Sequence, residues 1–260
     1  MALYGYNKAI MNNSFIIAHR GESFEAPENT LSSINLAWAN GSDAVEIDIR
    51  ITKDNRIVVI HDAHTMRVAG ICKWVRRSML QDLKKLDVGK YKGNRFEGEK
   101  IPELSEVLKT VPANKKIVIE IKCGKEIIPF LSETLMNSGL QPEQIEIISF
   151  NWRVLIEIRK KLPQYSLFWI LSLEHAKLFR IFQPSIHKII AKAVKSKITG
   201  LDLGYSKSLT QENILKIKSA NLKLYIWTVN DPIIVKELFS YGVDGITTDR
   251  AGWIKTMLNL

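Results

Sequence analysis

Short apolar strands that alternate with amphipathic helical stretches constrain the fold of this chain more than any other feature. Eight segments rich in Ile, Val and aromatic residues, each bounded by polar residues or glycine, are typical of strands. They are FIIAH (15–19), AVEIDIRI (44–51), KIVIEIK (116–122), IEIIS (145–149), SLFWIL (166–171), TGLDLG (199–204), LKLYIWTV (222–229) and VDGITTD (243–249). Eight strands with intervening helices predict a closed (β/α)8 TIM barrel. A doubly wound open sheet is the alternative, but no glycine-rich fingerprint follows the first strand.

Three of the helical stretches are clearest from their end signals. The first begins at Asn29 or Thr30 as N-cap and stops at Gly41. The second covers residues 211–219, and the third follows Asn230-Asp231-Pro232, where a polar cap precedes a proline in the first turn. These signals support the alternation of strands and helices.

The chain length of 260 residues suits a single barrel. No composition shift or repeat marks a second domain, so we expect residues 1–260 to form one domain. Residues 1–13 would be an N-terminal extension, and residues 63–100 a loop or lid excursion. This excursion holds a short amphipathic piece (78–86) and basic residues around Trp74. Excursions of this length often form lids or binding loops.

One stretch breaks the alternation, because EIDIRITKDNRIVVIHD (46–62) predicts strand, turn and strand with no helix between them. If Thr52 faces Ile57, counting outward places Asp48 opposite His61. We therefore expect a hairpin that rises from the second strand and returns His61 to the rim of the barrel.

Polar side chains occur near the C-terminal ends of several predicted strands, which form the functional face of a barrel. His19 and Arg20 close the first strand, and Glu46 and Asp48 share one face of the second because side chains alternate. The third and seventh strands add Glu120, Lys122 and Trp227. Taken singly, each group also fits a structural ion pair, a turn or the core. Their convergence on one face favours a site.

The chemistry of this set points to a phosphate ester and a metal. Three carboxylates in one ring predict a hard divalent cation, Mg²⁺ or Ca²⁺ rather than Zn²⁺, since without it at least one carboxylate would be protonated. Arg20 and Lys122 supply positive charge for a phosphate. His19 and His61 remain free to move protons, which completes a set suited to cleaving a phosphodiester.

Charge and segment composition limit the partners. The net charge of +10 favours phosphate-bearing partners. No basic-aromatic recognition motif supports nucleic acid, so none is expected. We find no secretory signal and no apolar run of the ~18 residues that a membrane span needs. The compartment is left open, with the cytoplasm favoured. The two cysteines form no metal or disulfide pattern.

Short motifs occur in order from about residue 15 to residue 250: AHRG, PENT, VEIDI with T-x-D, VVIHD, IPEL, IEIK, SF, WTVN and GVDGITTDR. This ordered set resembles the glycerophosphodiester phosphodiesterase family. The resemblance implies a (β/α)8 barrel of lipid and glycerol metabolism that uses Mg²⁺ or Ca²⁺. It further implies hydrolysis of glycerophosphodiesters, which are small molecules, to glycerol 3-phosphate and an alcohol.

The resemblance also implies roles for individual residues. The acid/base pair would be His19 and His61, and the metal ligands Glu46, Asp48 and Glu120. Phosphate would contact Arg20 and Lys122, and the glycerol end of the substrate would lie near Trp227. Candidates for a supporting role are Glu28, Asn29 and Asp62.

Three further expectations concern this site. We favour His61 as the acid and His19 as the base, with Asp48 or Asp62 raising the pKa of the acid. Gly21 would let the backbone turn close to the ligand. The final motif continues with Arg250 and Ala251, where the family often has a proline, and we expect no effect of this departure on catalysis.

Two rival functions remain open. Barrels with a related site also cleave membrane lipids, so lysophospholipase D- or phospholipase-like cleavage of a lipid phosphodiester is the alternative. Residues 174–198, with six Lys and Arg among Leu, Phe and Ile, could then make peripheral membrane contact, although a helix packed on the barrel fits this pattern better. A catalytically idle barrel that binds phosphates as a sensor is the second rival. The oligomeric state is left open.

Overall fold

The computed structural model of the protein describes residues 15–172, 185–206 and 209–260. Its strands are β1 (Phe15–His19), β2 (Ala44–Ile51), β3 (Ile57–Val59), β4 (Lys116–Ile121), β5 (Ile145–Ser149), β6 (Ser166–Leu171), β7 (Gly200–Gly204), β8 (Lys223–Trp227) and β9 (Gly245–Thr248). All except β3 pair in parallel with their neighbours, and β1 pairs with both β9 and β2. The sheet therefore closes on itself, and the predicted (β/α)8 barrel is confirmed.

Helices connect these strands on the outside of the barrel. They are α1 (Leu31–Ala39), α2 (Met66–Ala69), α3 (Leu80–Leu83), α4 (Leu104–Leu108), α5 (Ile128–Met136), α6 (Trp152–Lys161), α7 (Ile186–Lys195), α8 (Gln211–Ser219), α9 (Pro232–Ser240) and α10 (Ala251–Leu258). Thr30 caps α1, as predicted, because its hydroxyl accepts a hydrogen bond from the Ser33 N–H. The predictions of α8 and α9 are also confirmed.

Side-chain alternation divides the apolar residues into two layers. Residues that point outward from the strands, such as Val45, Ile47 and Ile49, pack against the helices in the large core. A smaller cluster fills the inside of the barrel, and Phe168 and Tyr225 stack there with ring centroids 4.3 Å apart. Because this cluster blocks the interior of the barrel, a ligand can reach it only at the C-terminal ends of the strands.

A hairpin follows β2, as expected, but its register differs from the predicted one. The Ile60 N–H donates a hydrogen bond to the Asp48 carbonyl at 2.8 Å. Asp48 therefore lies opposite Ile60 rather than His61, and the predicted pairing of Thr52 with Ile57 is wrong by one residue. His61 still follows directly after this strand and reaches the rim.

The turn of this hairpin causes the difference. Thr52 pairs with Arg56 instead: its N–H donates to the Arg56 carbonyl at 2.9 Å, and the Arg56 N–H donates to the Thr52 hydroxyl at 2.9 Å. The three-residue loop between them ends at Asn55, which has a left-handed φ of 60°. The predicted pairing assumes a loop of four residues, 53–56. The observed loop is one residue shorter, so every pair counted outward from it shifts by one residue.

The excursion of residues 63–100 consists largely of short helical pieces. Besides α2 and α3 it contains three 3₁₀ turns, at Val75–Arg77, Lys90–Lys92 and Asn94–Phe96. Its apolar side chains form a separate small core together with the end of the hairpin and Ile101. The members of this excursion core are Val58, Ile60, Val68, Val75, Leu83, Leu86, Val88 and Ile101. The excursion is thus anchored by its own buried cluster.

Two predicted segments fall partly or wholly outside the described residues. The N-terminal extension 1–13 does so entirely, and the segment 174–198, a candidate for peripheral membrane contact, does so up to residue 184. Its remainder forms α7, which buries Ile189 and Ala193 and holds Lys192 over the rings of Trp152 and Trp169. In the described ranges, no helix combines the length and apolar character that crossing a bilayer demands.

Candidate active site

Strand register brings the predicted site residues together at the C-terminal end of the barrel. His19 on β1 lies beside Glu46 on β2, and Asp48 on β2 lies beside Glu120 on β4. A cavity of about 170 Å³ opens above them. Among its lining residues are His19, Arg20, Glu46, His61, Glu120, Lys122, Phe150, Asp202 and Trp227. Asp48 lies fully buried beside this cavity.

Three carboxylates form the floor of this site. Glu46, Asp48 and Glu120 are buried, and each offers an oxygen within 4.8 Å of the others. Burial, followed by the nearby Asp48 and Glu120 charges, raises the pKa of Glu46 well above its usual range. Burial and the Asp48 charge raise the pKa of Glu120 to about 7. These carboxylates thus resist ionising together without added positive charge.

The donor set fits a hard divalent cation. Glu46 Oε1 and Asp48 Oδ1 are buried, and neither has a hydrogen-bond partner among the described residues. Buried oxygens without partners are costly, and a metal ion would satisfy them. Glu46, Asp48 and Glu120 are therefore the residues that could hold Mg²⁺ or Ca²⁺.

Two cations lie against these carboxylates. Arg20 Nε is 3.1 Å from Asp48 Oδ2, and Lys122 Nζ is 2.8 Å from Glu120 Oε1 and 3.6 Å from Asp48 Oδ1. Burial opposes ionisation of Asp48, but Arg20 and Lys122 outweigh it and hold the pKa of Asp48 below its usual value. The backbone N–H of Arg20 also donates to Glu46 Oε2 at 3.0 Å. Both cations therefore border the carboxylate floor.

Asn29 fixes the central carboxylate from the loop before α1. Its amide donates to Asp48 Oδ2 at 2.8 Å, and its side-chain oxygen accepts from the Asp48 N–H at 3.1 Å. Gly21, by contrast, packs against α1: a Cβ at this residue would lie 2.5 Å from the Ser33 backbone. The φ of 80° at Gly21 and its lack of a side chain permit this contact with α1, and the expectation that the turn also lets the backbone approach the ligand stays a prediction.

Asp249 is a contact of His19 that sequence reasoning missed. His19 Nδ1 lies 2.6 Å from Asp249 Oδ1. Ser23 and Asn230 also donate to this carboxylate, at 3.3 and 2.8 Å. Burial disfavours its charge, but these hydrogen bonds, led by that of His19, lower the pKa of Asp249 to about 2. The sequence could have indicated this contact, because Asp249 follows directly after β9. Closure of a barrel makes the last strand the neighbour of the first strand, which ends at His19.

His61 stands at the end of a chain of charged groups that alternate in sign. His61 Nδ1 is 2.7 Å from Asp62 Oδ1, and Asp62 Oδ2 is 2.7 Å from Arg67 Nε. Arg67 makes a two-pronged contact with Glu28, at 2.5 and 2.8 Å, and Arg20 Nη1 donates to Glu28 at 3.0 Å. We call this set the charge chain. Arg67 was not predicted, because only the fold brings it against Glu28.

The expected rise in the pKa of His61 is not found. Burial lowers the pKa of His61, and its carboxylate neighbours Asp48 and Asp62 do not outweigh burial and the charges of Arg20 and Lys122. At neutral pH, His61 is therefore predominantly the neutral imidazole.

The opposite wall of the cavity carries aromatic groups and one acid. Trp227 is half-buried, meets the edge of Phe150 at a centroid distance of 5.7 Å, and donates from Nε1 to the Asp202 carbonyl at 3.3 Å. Asp202 is 4% exposed, and its Oδ1 has no hydrogen-bond partner in the described part of the chain. Burial raises the pKa of Asp202 well above its usual value. In the sequence, Asp202 could have been noticed as a carboxylate within the apolar strand β7.

Comparison with known proteins agrees with this geometry. A model of the glycerophosphoryl diester phosphodiesterase family matches residues 19–253. A glycerophosphodiester phosphodiesterase of Caldanaerobacter subterraneus subsp. tengcongensis is 32% identical over 251 residues, which cover 95% of this chain and 97% of that protein. A lysophospholipase D of Rattus norvegicus is 28% identical over 274 residues, covering 94% of this chain and 85% of that protein.

Solved structures give the same result. A phosphodiesterase of Oleispira antarctica, determined in complex with the product sn-glycerol-3-phosphate, superposes with a TM-score of 0.86. It is 26% identical, and the match covers 97% of this chain and 99% of that one. The barrel, its acidic floor and these matches show that the chain belongs to the glycerophosphoryl diester phosphodiesterase family and is a phosphoric diester hydrolase.

Proposed function

We propose that this enzyme releases glycerol 3-phosphate from glycerophosphodiesters by two-histidine acid/base catalysis at a divalent metal site. One observation carries the proposal: two histidines, each held through Nδ1 by a carboxylate, line the same cavity as Glu46 and Glu120. A carboxylate at Nδ1 orients the imidazole and leaves Nε2 to exchange a proton with the substrate.

Glu46, Asp48 and Glu120 would hold the metal, Mg²⁺ or Ca²⁺. Bound there, the ion would supply positive charge to the phosphate oxygens and lower the barrier to attack on phosphorus. The partnerless oxygens of Glu46 and Asp48 support this assignment.

Arg20 and Lys122 would bind the phosphodiester beside the metal. Arg20 has a forked donor group suited to two phosphate oxygens, and Lys122 acts as a point charge. Both side chains are largely shielded from solvent, at 18% and 14% exposure, so their charges act in a medium of reduced screening. They would stabilise charge that builds on the phosphate oxygens.

His61 and His19 would move the protons. Since the pKa of His61 is lowered, its neutral form can accept a proton from the nucleophile, either water or the neighbouring glycerol hydroxyl. His19 would then protonate the leaving alcohol. This order reverses the one that the sequence favoured. Attack by water would give glycerol 3-phosphate directly, whereas attack by the glycerol hydroxyl would give a cyclic phosphate, which water would open to glycerol 3-phosphate in a second step. Trp227 would border the glycerol end of the substrate, on the wall opposite the carboxylates.

Release of glycerol 3-phosphate from a panel of glycerophosphodiesters tests the proposal. Activity should require Mg²⁺ or Ca²⁺, disappear with a chelator and return when metal is added. His19→Ala and His61→Ala should each lose ~10²-fold or more in kcat. His64→Ala is the matched control, because His64 does not line the cavity, and it should retain activity. Near-normal kcat in both catalytic variants would refute the acid/base scheme, and turnover unaffected by chelation would refute the metal site.

Cleavage of a lipid phosphodiester is the second candidate. It is favoured by the aromatic side chains of Phe24 and Phe150, which are 55% and 46% exposed on loops that follow β1 and β5 at the open end of the barrel. Comparing kcat/KM for glycerophosphocholine with that for a lysophospholipid in vesicles distinguishes the two. A higher value for the lysophospholipid would replace the first proposal. Binding of substrate without turnover of either would support the phosphate-binding sensor.

A further inference from the structure

The excursion contains a strongly exposed apolar surface beside the site. We call residues 63–79 the excursion tip. Within it, Met66, Ile71 and Trp74 are 49%, 55% and 51% exposed, although each has a large apolar side chain. Exposed apolar side chains gathered in one short segment commonly mark a contact with a partner or a membrane.

The backbone of the excursion tip holds these side chains in place. The Thr65 N–H donates to the Lys73 carbonyl at 3.1 Å, and the Val75 N–H donates to the Ala63 carbonyl at 3.0 Å. Val75, on the second of these paired segments, is buried in the excursion core. The exposed side chains therefore project from a paired and anchored base, so their exposure belongs to the folded structure.

The excursion tip is also purely basic. It contains Arg67, Lys73, Arg76 and Arg77 and no Asp or Glu. Lys73 and Arg77 have no carboxylate within ion-pair distance among the residues described, and Arg77 lies 5.8 Å from the centroid of the Trp74 ring. The surface thus pairs unneutralised positive charge with apolar area.

Its position ties it to the reaction site. Arg67, in the excursion tip, contacts Asp62, which in turn contacts His61. The tip follows the hairpin that ends at His61, so it stands at the open end of the barrel. A surface that bound the tip would therefore lie next to the mouth of the active site.

We propose that the excursion tip docks the enzyme on an anionic phospholipid surface. Ile71 and Trp74 enter the interface between headgroups and acyl chains, where tryptophan is favoured, and Lys73 and Arg77 bind lipid phosphates. A nucleic acid would satisfy the charges but would leave the aliphatic side chains Met66 and Ile71 without a partner. The proposal concerns attachment, and it does not depend on which phosphodiester the site cleaves.

Vesicle sedimentation with the whole chain tests this proposal. The wild type should bind phosphatidylglycerol vesicles and bind phosphatidylcholine vesicles much more weakly. Lys73→Gln with Arg77→Gln should lower partitioning about 25-fold, since each basic residue contributes ~1 kcal/mol, a factor of about five. Ile71→Ser with Trp74→Ser should lower it at least tenfold, and Ile71→Ser alone should lower it in the same direction. All variants should hydrolyse a water-soluble glycerophosphodiester at the wild-type rate, whatever that rate is.

A second exposed surface provides the matched control. Val194 on α7 and Leu215 on α8 are 50% and 51% exposed and flank Lys195 and Lys216 in a groove. Val194→Ser with Leu215→Ser, and Lys195→Gln with Lys216→Gln, should leave vesicle binding unchanged. Loss of binding in these variants instead, or unchanged binding in the tip variants, would overturn the proposal. The proposal would also be overturned if the protein bound a DNA duplex as tightly as phosphatidylglycerol vesicles and if Ile71→Ser with Trp74→Ser left this DNA binding unchanged. That result would favour general binding of polyanions.

Discussion

Replacement of Asp249 by asparagine should disable His19 without removing it. Asp249 Oδ1 lies 2.6 Å from His19 Nδ1, so the carboxylate accepts a hydrogen bond from the Nδ1–H group and leaves Nε2 free for the cavity that His19 lines. An asparagine can donate its amide hydrogen to Nδ1, which reverses the tautomer, and it no longer balances a positive imidazolium. Both effects act on the proton-transfer step.

The magnitude follows from the lost hydrogen bond. A hydrogen bond to a charged group contributes ~1.5–3 kcal/mol, which corresponds to roughly 10- to 150-fold in rate if it is expressed fully in the transition state. A wrong tautomer can extend the loss to about 10⁴-fold. We therefore expect Asp249→Asn to lower kcat by about 10- to 10⁴-fold, with KM changed much less. The assay is release of glycerol 3-phosphate under saturating substrate and metal.

Stability provides a second readout for the same variant. The pKa of Asp249 is lowered to about 2, below its usual value of 3.8, so its charge stabilises the fold above pH ~4 and this contribution is lost as pH falls through 2. The carboxylate is 32% exposed, so solvent screening reduces the contribution to about 1 kcal/mol. The difference in Tm between wild type and Asp249→Asn should therefore be larger at pH 7 than at pH 3.

Asp231→Asn is the matched control for this prediction. Asp231 caps α9 by accepting from the Ile233 N–H at 2.8 Å, and asparagine is an equally good cap. Activity and Tm should stay near wild type. If Asp249→Asn kept kcat within fivefold of the wild type, the reasoning that Asp249 positions a catalytic His19 would be refuted.

Three further variants test the metal floor, the buried acid and the charge chain. Glu46→Gln should raise the half-activating metal concentration at least roughly tenfold, and an unchanged metal titration would contradict its role as ligand. Because the pKa of Asp202 is raised in the folded protein, the free energy of unfolding falls as pH rises from ~4 towards the raised pKa. Asp202→Asn removes this fall, so it should gain ~1.4 kcal/mol for each pH unit by which the pKa is raised. A Tm gain of Asp202→Asn that is no larger at pH 8 than at pH 5 would count against this reasoning. Arg67→Ala removes the cation between Asp62 and Glu28, although Arg20 still contacts Glu28. The value of kcat/KM should therefore drop ~10- to 100-fold, with partial recovery in Arg67→Lys, and full activity would show that the contact is not used.

The barrel was predictable because buried parallel strands are nearly continuous apolar runs. Within such runs, the carboxylates of Glu46, Asp48 and Glu120 stand out, because burying a charge is costly unless it is paired or coordinates a metal. Their shared face followed from alternation alone. The roles of the site residues and the single-domain organisation of residues 1–260 stay predictions.

Other features depended on contacts that no local pattern displays. The hairpin register was decided by hydrogen bonds of the Thr52 hydroxyl, which a count of strand residues does not include. Asp249 lies 230 positions from His19, and only closure of the barrel brings them together. Basic residues around Trp74 were visible in the sequence, whereas the exposure of its ring was not, since burial depends on the excursion core.

The charge chain restricts how this part of the enzyme can change during evolution. Its charged members alternate in sign from Arg20 through Glu28 and Arg67 to Asp62, which holds the neutral His61. Reversing the sign of Glu28 or Arg67 alone places like charges side by side at two contacts, and exchanging the two residues restores their own contact but places like charges at the contacts with Arg20 and Asp62. The signs at these positions should therefore be retained together during evolution, and a designer who alters one loop around the mouth must redesign its neighbour in the same step.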